Sequence, residues 1–154
     1  MKTKNLKFGL LLFVLMMTVF NCSEDNNDPA PQDTQQQQLQ NEAAAGIWII
    51  SNFVDSGTDE TNDFVGFVFD FQANGDLVAT SSTVTYTGTW SITDSNSNDD
   101  STDDLHFNIY FNLTNDFEDL NDDWDIISYS STSIVLQDVS GGNGGIDDLT
   151  FTKM

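Results

Sequence analysis

The stretch Asp94-Ser-Asn96-Ser-Asn98-Asp-Asp100 sets Asp or Asn at nearly every second position, the spacing with which a loop can turn several oxygens onto one calcium ion. A twelve-residue calcium loop also needs glycine at its sixth place and a bidentate glutamate at its twelfth, and this chain has Asp99 and Leu105 there. The run therefore reads first as an acidic loop between strands. Calcium held by Asp94, Asn96, Asn98 and Asp100 is the alternative, and Asp55, Asp59 and Asp63 around Gly57 form a weaker copy. His106 is the sole histidine, and no second imidazole or thiol beyond Cys22 is present to complete a zinc site. Asp122, Asp123 and Asp125 flank Trp124, a grouping that could run glycoside hydrolysis if burial raised one carboxyl. The run Gly141-Gly-Asn-Gly-Gly145 lacks the lysine and helix that would let it cradle phosphate, and no nucleophile elbow is present. These residues point away from an enzyme and imply no cofactor.

The amino terminus carries a different chemistry. Lys2, Lys4 and Lys7 precede an apolar run from Phe8 to Phe20, and Asn21-Cys22 follows. That run falls short of the roughly 20 apolar residues of a membrane span, so it reads as an export signal over residues 1–21. Cys22 is the only cysteine and has no partner for a disulfide within the chain. Its place at the exit of the apolar run resembles the lipobox of bacterial lipoproteins, in which the cysteine is acylated and becomes the first residue. Ser23-Glu24-Asp25 resembles the acidic surface-export signal of Bacteroidetes-type lipoproteins. The resemblance implies an outer-membrane lipid anchor at Cys22, with the domain displayed at the cell surface. The alternative is an ordinary cleaved signal with a leftover cysteine.

Residues 22–45, with Pro29, Pro31 and Gln35-Gln36-Gln37-Gln38, hold Leu39 as their one large apolar side chain beyond the lipidation site. They read as an acidic, Gln-rich tether carrying at most a fraying helix over Gln35–Ala45. Three of the four basic residues belong to the signal, so Lys153 alone faces all 25 acids of the remainder. Phosphate binding depends on Lys and Arg, which argues against nucleic acid and against a polybasic contact with lipid.

From Gly46 to Met154 the apolar residues alternate. Val84, Tyr86, Gly88, Trp90 and Ile92 share one face of a strand, and Thr85, Thr87, Thr89 and Ser91 the other. Leu105, Phe107, Ile109, Phe111 and Leu113 repeat the pattern and put His106 on the wet face. Val65, Phe67, Phe69 and Phe71 make a third apolar face, and Asn74-Gly75 then signals a hairpin with positive φ at both residues. Strands are expected near 46–53, 64–71, 76–81, 83–92, 105–113, 124–130, 133–138 and 147–153. A helical turn near 116–121, capped by Asp116, leads into Trp124. Eight short strands joined by turns predict an all-β chain closed as an antiparallel up-and-down barrel, or else a closed sandwich.

Gly46-Ile-Trp48, Phe67-Val-Phe69-x-Phe71 before Asn74-Gly75, Gly88-Thr-Trp90 and Asp122-Asp-Trp124 are similar to the lipocalin-like domain of Bacteroidetes lipoproteins. That resemblance covers about 46–154 and implies an eight-stranded barrel with an apolar interior. Trp48, Phe67, Phe69, Trp90 and Phe107 fall on inward faces, as core or as the lining of a ligand cavity. The expected protein is a monomeric, membrane-tethered binder of a small apolar or amphipathic molecule. The alternative is an accessory surface protein with a filled core, serving adhesion, envelope assembly or glycan capture through its loops.

Overall fold

The computed structural model describes residues 34–94, 105–139 and 145–154. The strands are β1 (Ile47–Asp55), β2 (Thr58–Asp59), β3 (Val68–Phe71), β4 (Asp76–Thr80), β5 (Thr85–Asp94), β6 (Leu105–Tyr110), β7 (Asp122–Tyr129), β8 (Ser133–Val139) and β9 (Ile146–Lys153). One helix, α1 (Gln35–Ala44), precedes them, and short 3-10 turns span Thr61–Phe64 and Asp116–Leu120. Every pairing is antiparallel, in the order β1-β3-β4-β5-β6-β7-β8-β9, and β9 returns to β1 from Trp48↔Lys153 to Val54↔Asp148. The result is the expected closed eight-stranded barrel. The two-residue β2 folds back on β1 through Ser56-Gly57, both at positive φ.

Alternation delivers the interior. Trp48, Ile50, Phe69, Phe71, Leu77, Ala79, Ile92, Phe107, Ile109, Ile134, Leu136, Leu149 and Phe151 are all buried, and among the described residues no polar or charged side chain is. A bulge between Ile50 and Asn52 shifts the period of β1 by one, so Phe53 turns inward as well. Gly88 faces inward where a Cβ would sit 2.7 Å from the Phe111 ring and closer still to the Tyr110 carbonyl oxygen, so only glycine fits.

Several expectations differ in detail. Residues 64–67 are not strand: Phe64 ends a 3-10 turn, Gly66 takes φ +89°, and Val65 is 73 % exposed and outside the apolar face. In the β3–β4 turn Gly75 alone has positive φ, and Asn74 instead accepts the Asp76 N–H through Oδ1 at 3.1 Å. β6 ends at Tyr110. Beyond it the Asn121 side chain replaces a partner strand by accepting the Phe111 N–H and donating to the Phe111 carbonyl. Asn115, not Asp116, caps the turn that follows, since its side chain accepts the Phe117 N–H.

The larger correction lies before the barrel. Gln35–Ala44, where the sequence allows at most a fraying helix within a tether, is a 10-residue helix with Leu39 and Ala43 fully buried. Gln, Leu, Glu and Ala lose little side-chain freedom in a helix, and Thr34 Oγ1 caps it by accepting the Gln37 N–H. Burial of Leu39 and Ala43, four residues apart on one face, supplies what propensity alone would not.

Candidate functional site

Helix α1 seats on one end of the barrel against β3 and β5. Two long side chains fasten it there. Trp48 Nε1 donates to the Ala43 carbonyl at 2.8 Å, and Gln36 Nε2 donates to the Ile92 carbonyl at 2.8 Å. The Leu39–Ala43 face is consumed in this contact. Gln40, Asn41 and Ala44 face the β3–β4 turn, and between helix and turn runs a cleft of about 180 Å³ lined by those three with Ala73, Gly75 and Trp90.

The turn wall is held by Trp90. Its Nε1 donates to the Gln72 carbonyl at 2.9 Å, and its backbone N–H donates to the Gly75 carbonyl at 2.9 Å. The indole ring stacks on Phe107 with centroids 5.6 Å apart and planes inclined by 26°, and it lies edge-on to Phe71. Trp90 is 6 % exposed, so it belongs to the core and presents a margin to the cleft. No charged side chain lines this cleft.

The five aromatic residues expected inside are placed as follows. Phe69, Trp90 and Phe107 face the interior, and Trp48 closes the α1 end beneath the Lys153 ammonium, 4.8 Å above its ring. Gly46 makes that contact feasible, because a Cβ there would strike the Lys153 chain. Phe67 sits instead at the opposite rim, half-buried, stacked on Tyr86 and edge-on to Phe117. Rings meet across the axis: Phe71 touches both Phe107 and Phe151 with centroids 5.3 and 5.2 Å apart, Phe69 touches Phe151, and Phe53 touches Trp124. Phe117 plugs the far end against Phe64, Phe67, Phe69 and Phe111.

Acids gather at that far end. Burial, with Asp55, Asp119, Asp63 and Asp116 nearby, pushes the Glu60 carboxyl above its ordinary value. Burial, Asp55 and Glu118 raise Asp119 in the same way. Burial likewise lifts Asp122 to about 6, with Asp138 and Asp123 adding repulsion. Asp59 goes the other way, held down by hydrogen bonds from Thr61. Among the described residues no group of three or more His, Cys, Asp or Glu is arranged to hold a metal ion. Asp123 and Asp125 on either side of Trp124 are exposed.

His106 points outward from β6, and its Nδ1 lies 3.3 Å from Asp125 Oδ1 on the neighbouring strand. Asp94 ends β5 opposite Leu105. Cys22 and the signal, and Asn96, Asn98 and Asp100 of the acidic loop, lie outside the described residues.

Sequence reasoning missed Gln40, Asn41 and Ala44, because their segment read as tether. The signal was there: Thr34 stands three residues before Gln37, a capping-box spacing, and Leu39 stands four before Ala43.

No protein-family model matches the chain. No curated protein matches it. A solved structure of a DUF4847 family protein from Bacteroides vulgatus ATCC 8482 is similar, with 18 % identity over 74 % of this chain and 96 % of that one and a TM-score of 0.46. At that identity and score the likeness carries no inference about function.

Proposed function

We propose that the chain is a membrane-tethered, non-enzymatic accessory protein of the cell surface, anchored in the outer membrane by an acylated Cys22, whose barrel is a solid scaffold that meets its partners on the outside. One observation carries the choice over an interior ligand. An eight-stranded barrel is either just filled by its side chains or holds one small molecule, and here Phe71, Phe107 and Phe151 touch ring to ring across the axis.

The anchor rests on the sequence: three lysines, a short apolar run, and a lone cysteine at its exit. Each buried CH₂ of an acyl chain contributes about 0.8 kcal/mol, so two or more chains hold a small domain at a bilayer stably. The acidic excess beyond Cys22 keeps the domain soluble and monomeric and discourages contact with nucleic acid. No cofactor is required in this role.

Labelling of cells with radioactive palmitate tests the anchor. The wild-type chain takes up label, the Cys22→Ser variant takes up none, and added protease removes the domain from intact cells. A wild-type chain released unlabelled into the medium contradicts the proposal.

A further inference from the structure

We propose that the cleft between α1 and the β3–β4 turn is a binding site for one neutral, hydroxylated ring, such as a single pyranose unit of a glycan. The inference deepens the accessory reading by naming a ligand for the outer surface. It does not depend on the anchor. Three features of the cleft converge on that chemistry.

The first is size. At about 180 Å³ the cleft has room for about six waters at roughly 30 Å³ each. That accommodates one small ring and is too little to bury an extended acyl chain.

The second is charge. No acid or base lines the cleft. An anionic ligand would meet the field of a domain whose sole base beyond Cys22, Lys153, is already placed over Trp48. A cationic ligand is drawn by that same field but finds no carboxylate at the cleft to hold it there. A neutral ligand needs no such partner.

The third is the split between polar and apolar walls. Gln40 and Asn41 are exposed, and their side-chain amides make no hydrogen bond with another described residue, so each offers two donors and one acceptor. Opposite them, on the turn side, stand Ala73 and the margin of Trp90, while Ala44 adds a methyl to the helix side. The Trp90 N–H is already given to Gln72, so what the indole shows the cleft is carbon. A purely apolar molecule would strip water from both amides and return nothing. A ring with an apolar C–H face and a hydroxyl edge satisfies both walls. Gly75 completes the wall without a side chain, and its φ of +91° resists any substitution that would fill the cleft from that side.

The test uses the full chain purified in detergent, with glucose and N-acetylglucosamine as probes and glucuronate and glucosamine as charged controls. The Trp90 indole N–H is followed by nuclear magnetic resonance while each sugar is raised to tens of millimolar. The expected result is a saturable shift with at least one neutral sugar and none with the charged controls, while the Trp48 and Trp124 indole signals stay in place. Asn41→Leu should weaken binding about three- to tenfold, the worth of one hydrogen bond. Ala44→Phe, which fills the cleft from a partly buried position at the helix margin, should abolish it, and a thermal melt of the variant, taken alongside, shows whether the barrel is intact. Absence of a saturable shift, equal binding of the charged sugars, or binding that survives Ala44→Phe overturns the site. None of these outcomes bears on palmitate labelling, so the site and the anchor can fail separately.

Discussion

Gly88 is the residue on which the inner packing of β5 turns. Its missing side chain leaves space for the Phe111 ring, which in turn bears on Phe117. Gly88→Ala therefore overpacks a closed core, and a loss of about 1–3 kcal/mol in denaturant unfolding is expected. Asp122 acts through charge. Its carboxyl is lifted to about 6 in the folded chain, above its ordinary 3.8, so ionisation is costlier in the native state than in the unfolded one. The associated stability is present in full below pH 3.8 and is lost as pH rises through about 6. Asp122→Asn, which keeps an oxygen to accept the Asp123 N–H, should raise the melting temperature at pH 7.5 and leave it unchanged at pH 3.5. Because the group is largely solvated, the gain should stay near 0.5–1 kcal/mol. Equal effects at both pH values would remove this account of Asp122.

Among the elements, α1 shows what a sequence can hide. Its composition, four glutamines beside prolines and acids, matches a tether, and its single large apolar residue is Leu39. Nothing local signals that the barrel end offers Leu39 and Ala43 a place, because that place is built by β3 and β5, distant in sequence. Leu39→Ala should destabilise the domain by about 2–5 kcal/mol, as for a buried leucine, and equilibrium unfolding would read it directly. A tether residue would show no change. The strands were legible for the opposite reason: alternation is a local record of a two-sided wall, and Thr85–Asp94 and Leu105–Tyr110 carry it in full. Alternation could not place the ends. β6 stops at Tyr110 although the apolar pattern runs on to Leu113, since Asn121 takes over the backbone of Phe111. It also could not assign Phe67, whose strand had not yet begun.

For the whole molecule the decisive quantity is what occupies the space inside the eight strands. Sequence placed the aromatic rings inward but was silent on whether they meet, because that depends on barrel closure and on the rotamers facing one another across the axis. They do meet, through Phe69, Phe71, Phe107 and Phe151, and Phe117 and α1 close the two ends. A scaffold so filled leaves its outer clefts and rims for recognition, and the cleft beside Trp90 is shaped for a small neutral ring. The most direct test of the solid core is a titration of the purified protein with a fluorescent fatty acid, read by its own emission and by energy transfer from the tryptophans. The account predicts no saturable enhancement and no energy transfer beyond that of free probe. One-to-one saturation, displaced by an unlabelled fatty acid, would contradict it and restore the interior as the binding site.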